Sequence, residues 1–220
     1  MPEFMGVKIT RAEESARHAY RRALERAVRS VSKGSGWRSI EGCLFREQEG
    51  WFVSVCPAVY IFEKSTKASV SVKPMAIDPI FWDIVGLPEN NDAPLSFRLN
   101  GPWTCQPPHL DEVSIKEQEN VADVVARLIE VANERLAYVV EHFSLENFLQ
   151  LCRTSGEIEN RYLPCVITTL IALGREHEAL EVSAAAKVRG DSGGFLTPKG
   201  SFSDMATTWI SASVAKAKRH

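Results

Sequence analysis

The segment Trp37–Val72 reads WRSIEGCLFREQEGWFVSVCPAVYIFEKSTKASVSV. Three β-rich runs in it are separated by a Glu-Gly break and a Lys-Ser-Thr-Lys break. Trp51, Val53 and Val55 alternate with Phe52, Ser54 and Cys56, and Val70 and Val72 alternate with Ser69, Ser71 and Lys73. Successive side chains of a strand point to opposite faces. β-branched and aromatic residues at that period are therefore what a half-buried antiparallel sheet requires. The pattern predicts strands over residues 39–46, 51–62 and 68–73, the first two joined through Glu47-Gln48-Glu49-Gly50. Pro57 has no N–H to give to a ladder, so it marks a bulge or an edge position.

Helices flank this sheet. Thr10-Arg-Ala-Glu13 has the capping-box form, in which hydroxyl and carboxylate satisfy each other's open backbone donors. After it Ala12, Ala16, Ala19, Tyr20, Ala23, Leu24, Ala27, Val28 and Val31 are read onto one helical face, and Lys33-Gly34-Ser35-Gly36 ends the helix. Ser114-Ile-Lys-Glu117 has the same form and predicts a long helix over 115–142, with Val121, Val125, Leu128, Ala132, Leu136, Val139 and Phe143 on its apolar stripe. Between sheet and long helix, residues 78–85 read as a short helix opened by Asp78-Pro79. Leu95, Phe97 and Leu99 alternate and predict a fourth strand, stopped by Asn100-Gly101-Pro102. Residues 103–110, with two adjacent prolines, read as an extended crossing.

Beyond residue 142 a short helix restarts at Ser144. Residues 160–173 and 176–188 form a helical hairpin turned by Gly174-Arg175, residues 189–194 a flexible break, and 203–218 a last helix. The fold class is α+β. An antiparallel sheet of about four strands is packed by an N-terminal helix and a long central helix, with an α-helical C-terminal extension. Residues 1–4 (Met-Pro-Glu-Phe before a second methionine) have the look of a cloning remnant. Residues 5–150 are assigned to the α+β domain and 151–220 to a helical extension packed on it.

The chain of 220 residues is 45% hydrophobic and 25% charged, a globular composition. No apolar run approaches the ~20 residues that a membrane span needs, and the start lacks a secretory layout. A cytoplasmic protein without membrane contact is the expectation. The net charge of −2 hides an uneven distribution. Residues 1–35 hold eight Lys/Arg against four Glu, and residues 110–160 hold eleven Asp/Glu against four Lys/Arg. Such patches steer association or hold elements of one fold together, and they also arise as solvated helix faces.

Chemical motifs are few. Cys43, Cys56, Cys105, Cys152 and Cys165 show no metal-ligand or C-x-x-C spacing and read as reduced, buried thiols. His18, His109, His142 and His177 lack partners at helical i, i+3 or i+4 spacing, so no metal site and no cofactor is expected. Gly190-Asp-Ser-Gly-Gly lies between helices, with no histidine and aspartate placed to complete a triad. An unrecognised hydrolase would need Cys105, His109 and Asp111 to converge.

The order of elements points in one direction. Phe45-Arg46 is followed by Trp51, then by Ile61-Phe62-Glu63-Lys64-Ser65, a serine/valine strand and a long helix ending near His142-Phe143. Over residues 10–150 this resembles the bacterial domain-of-unknown-function family DUF4304. That family's run typically ends in Gln-Lys-Ser, and Glu63 stands here in place of the glutamine. The resemblance implies an α+β fold and a setting near toxin–immunity or defence systems, and no reaction.

The functional expectation is a non-enzymatic, intracellular bacterial interaction protein, an immunity or accessory partner acting by steric and electrostatic occlusion. Trp103, flanked by prolines, is the expected anchor. Glu117, Asp123, Glu130, Glu134 and Glu141 form the acidic face that would meet a basic toxin or effector. The alternative is a nucleic-acid-associated module. There Arg17, Arg21, Arg22, Arg26 and Arg29 would contact phosphates, and Trp37, Trp51, Phe52 and Tyr60 would offer stacking faces. Oligomeric state is left open.

Overall fold

A computed structural model describes residues 10–60, 65–116, 120–155 and 161–217. Helix α1 (Arg11–Ser32) opens with the capping box: the Glu13 amide donates to Thr10 Oγ1 at 3.2 Å, and the Thr10 amide donates to the Glu13 carboxylate at 2.8 Å. Leu24 and Val28 bury its apolar side, and the Ser32 and Ser39 hydroxyls meet at 3.0 Å.

The sheet is antiparallel, with strands β1 (Arg38–Ile40), β2 (Cys43–Gln48), β3 (Trp51–Tyr60), β4 (Ser65–Pro74) and β5 (His109–Ile115) in that spatial order. Residues 39–46, expected as one strand, are two. The chain turns at Glu41-Gly42, with φ of 48° and 83°, and again at Glu49-Gly50, with φ of 50° and 80°. Two-residue loops with both centres left-handed match the twist of the strands they join, and glycine takes that conformation without cost. The same Glu-Gly dipeptide therefore makes two successive hairpins.

The second hairpin corrects the expectation for two cysteines. Cys43 and Cys56 stand across from one another with Cα atoms 4.2 Å apart and are joined by a disulfide. The reason is register: the turn at Glu49-Gly50 brings the first residue of β2 opposite the sixth of β3. Pro57 comes next, where β3 runs on past the start of β2, so the proline has no β2 neighbour to fail.

Residues Leu95–Leu99 are a turn of 3-10 helix, the middle one of three (Pro88–Asp92, Leu95–Leu99, Gly101–Trp103), and not a strand. All five are half-buried without alternation, and the Arg98 carbonyl accepts from Lys73 Nζ instead of from a neighbouring strand. The further strand is β5, which pairs with β4 from Thr66↔Ile115 to Ser71↔His109. Ser114, expected to cap the long helix, lies opposite Lys67 in that ladder. Helix α3 accordingly runs Val121–His142. It opens at Asn120, whose Oδ1 accepts from the Ala122 amide at 3.0 Å.

The remaining elements are α2 (Ile77–Val85), α4 (Leu145–Thr154), α5 (Leu163–Ala172), α6 (Glu176–Val188), a small hairpin of β6 (Leu196–Thr197) and β7 (Gly200–Ser201), and α7 (Phe202–Ala217). Helix α2 starts two residues before Pro79 and stops at Gly86, whose φ is 75°. Helix α4 has its own capping box, Ser144 with Asn147. The 189–194 break is tied down: the Gly193 amide donates to Asp191 Oδ1 and the Ser203 hydroxyl to the Asp191 carbonyl.

The chain divides into two compact units, each assembled from separate segments. The first takes residues up to Arg46, Val53–Ser71 and His109–Tyr138. Its core holds Val28, Leu44, Val53, Val55, Val70, Val124, Val125 and Leu128, and the Trp37 indole donates to Asn133 Oδ1 at 2.9 Å. The second takes Glu47–Phe52, Val72–Pro108 and Val139 onward. Its core is aromatic: Phe81 stacks on Phe202 at 5.4 Å and meets Phe195 edge-on, while Trp51 meets Phe143 and Phe148 edge-on. Such pairs contribute about 0.5–1.5 kcal/mol each beyond their burial.

Candidate interaction surfaces

In the first unit, α3 buries Val124, Val125, Leu128, Ala132 and Leu136. Asp123, Glu130 and Glu134 are separated by seven and four residues, and Glu141 follows seven later. At ~100° per residue these four share one narrow side of the helix. All four are exposed. Asp123, Glu130 and Glu134 form no ion pair among the described residues, and they line a shallow groove of about 730 Å³ with Ala126, Arg127, Ile129 and Asn133. Glu141 lies 3.7 Å from His142. Glu117 lies outside the described residues. Asp123, Glu130 and Glu134 thus make an exposed acidic side on the first unit, and Glu141 falls in the second.

The arginines of α1 separate into two groups. Arg17 is half-buried on the Leu24/Val28 side, and Arg21 pairs with Glu25 at 3.6 Å. Arg22, Arg26 and Arg29 are exposed and continue into exposed Lys33 at helical spacing. Three of the four expected stacking partners are enclosed: Trp37, Trp51 and Phe52 lie in the core at 3%, 9% and 2% exposure, and Tyr60 alone of the four is open. Aromatic residues in strands filled the sheet's faces. A cleft of about 590 Å³ beside α1 is lined by Arg21 and Arg29 but also by Glu25 and Glu41, so it presents no single sign of charge.

Trp103 belongs to the second unit and is 44% exposed. Its loop is held from beneath by buried charges that sequence reasoning missed. Lys73 is 1% exposed and Asp78 is fully buried. Lys73 Nζ lies 2.9 Å from Asp78 Oδ2 and donates to the carbonyls of Arg98 and Cys105 at 2.9 and 3.0 Å, so its three protons are all engaged. Asp78 also accepts from the Arg98 guanidinium at 2.6 Å and from the Cys105 amide at 3.0 Å. Arg98 lies over the Trp82 ring, and the Trp82 indole donates to the Trp103 carbonyl at 2.6 Å. The Trp103 ring meets Phe195 edge-on at 6.4 Å. Both ends of the 98–105 loop are pinned through their backbone, and the indole at its crest rests against Phe195. A lysine ending a strand and an aspartate opening a helix five residues later is the only trace of this arrangement in the sequence.

Cys105, His109 and Asp111 are each engaged differently. Burial pushes the Cys105 thiol well up, with Thr168 Oγ1 3.6 Å away, and burial likewise raises Cys165. His109 is exposed at the start of β5. Asp111 is gripped by Arg135 at 2.6 and 2.9 Å, which holds its carboxyl below the usual range. Among the described residues no group of three His, Cys, Asp or Glu is placed to hold a metal ion, and no helix is long and apolar enough to cross a membrane.

Against known proteins, the chain matches no family model, no curated protein and no solved structure.

Proposed function

We propose that this chain is a non-enzymatic interaction protein that presents a fixed tryptophan anchor on one unit and an acidic helix side on the other. The observation that carries the reading is Trp103: a large, 44% exposed indole on a loop secured by buried charge. Burying an ion pair adds little net stability and often less than an apolar replacement would. What Lys73, Asp78 and Arg98 supply is a loop that needs no further ordering on binding, which is how preorganised tryptophans become hot spots. Asp123, Glu130, Glu134 and Glu141 fit a basic partner, and the DUF4304 resemblance adds the kind of partner: a toxin or effector whose working surface is occluded by this immunity-type protein.

The test is capture of partners from the source cell with wild type, Trp103→Ala and Glu130→Lys/Glu134→Lys baits, followed by titration of the purified partner. Truncating Trp103 should weaken binding by about 2 kcal/mol or more. Charge reversal should slow association and reduce its salt dependence. A partner bound equally by all three baits would refute the reading.

A further inference from the structure

From the exposed side of α1 we infer a second binding surface, one that takes the phosphate backbone of a nucleic acid without reading its sequence. Arg22, Arg26, Arg29 and Lys33 sit at i, i+4, i+7 and i+11, which places four cations within one narrow arc over about 16 Å of helix at ~1.5 Å rise per residue. All four are exposed, and none of them forms an ion pair among the described residues. On this stretch of the helix itself the acidic side chain bordering the arc is Glu25, drawn to Arg21 at 3.6 Å, and Glu41, off the helix, lines the cleft beside Arg29.

Three observations choose the occupant. First, the arc carries no large apolar residue: Leu24 and Val28 are buried and exposed Val31 lies on the other side of the helix. Protein interfaces depend on apolar or aromatic anchors at their centre, and interfacial membrane helices need them too, whereas phosphate contacts need neither. Second, three of the four cations are arginines, whose planar forks match phosphate oxygens bidentately. Third, Trp37, Trp51 and Phe52 are in the core, which leaves Tyr60 as the one open ring among the four expected stacking faces. Backbone contact without base contact gives affinity without sequence preference. Small residues beside the arc, Ser15, Ala19 and Ser30, leave a backbone room to approach.

The experiment is fluorescence anisotropy of the full chain against a labelled duplex DNA, a duplex RNA and a single-stranded DNA, each of mixed sequence, over about 50–200 mM salt. Four released counterions predict a log–log salt slope of about −3 to −4, close to a hundredfold loss of affinity across that range. Arg22→Gln/Arg26→Gln should reduce the slope by about two and abolish binding at the upper end. Glu130→Gln/Glu134→Gln should leave it intact or stronger, which separates this surface from the acidic one. Circular dichroism and urea unfolding confirm that each variant is folded. The inference falls if no nucleic acid binds at ~50 mM salt or if the slope is shallower than about −1. It also falls if Arg22→Gln/Arg26→Gln binds like wild type, or if anionic vesicles compete on the same residues while nucleic acid does not bind.

Discussion

Lys73→Met keeps the length and apolar stem of the side chain and removes only its ammonium. In the structure that ammonium lies 2.9 Å from a fully buried carboxylate and holds two backbone carbonyls. Removing one member of a buried pair costs about 3–5 kcal/mol, because the other charge is left in a poor medium. Asp78 keeps two partners, the Arg98 guanidinium and the Cys105 amide, so the expected loss is near the low end, about 3 kcal/mol. Asp78→Asn strands two cations at once and should reach the upper end, about 5 kcal/mol. The double variant should fall short of the sum by about 1–3 kcal/mol, since both changes disrupt one network.

Urea unfolding measures these differences as shifts in midpoint at constant slope. Hydrogen exchange locates them: in Lys73→Met the Cys105 and Trp103 amides should lose protection well before those of α5. A loss below about 1 kcal/mol, or loop amides that stay as protected as the core, would refute the claim that buried charge holds this loop.

Asp204 is held down to about 2 by the Ser201 hydroxyl first, then by Lys187 and the Ser201 amide. A carboxyl whose folded value lies below its ordinary 3.8 contributes stability above about pH 4 and loses it as pH falls toward 2. Asp204→Asn should flatten the acid limb of stability in that window and leave neutral-pH slopes unchanged, as pH-dependent urea midpoints will show. Cys43→Ser/Cys56→Ser opens a link spanning 13 residues and should cost about 3 kcal/mol on the chain-entropy view, matched by wild type under reductant in the same thermal melt. Gly42→Ala should cost about 1–2 kcal/mol and more than Gly50→Ala. Both glycines are left-handed, but only at Gly42 would a Cβ come within 3.0 Å of Glu25, and equal losses in denaturation would dismiss that crowding.

What the residues disclosed in advance follows the range over which each interaction acts. The capping box at Thr10, the period of two through Val70 and the stop at Gly86 are local, and all appear in the structure, whereas β3 is buried on both faces from Trp51 to Val55, so its alternation marks a strand but not a half-exposed one. The acidic side of α3 was readable because helical spacing alone decides it. Leu95–Leu99 misled because three apolar residues at alternate positions fit a strand, while the proline and glycine on either side, and a lysine 22 residues earlier, favour a tight helical turn. Ser114–Glu117 misled because a short cap motif was weighed without the strand it belongs to. The Cys43–Cys56 link required knowing the hairpin register, and the Lys73–Asp78–Arg98 cluster required knowing which charged groups are enclosed. Neither is a property of sequence spacing.

Phe81 stacks against Phe202, and α2 shares the second unit with α5 and α7. On the ribosome, the helix bearing Phe81 emerges long before its aromatic partner exists. At ~5–20 residues per second the wait is of the order of ten seconds. During synthesis the nascent chain therefore carries Phe81 without its stacking partner for that interval, while Trp82 meets Arg98 and the Trp103 carbonyl much sooner.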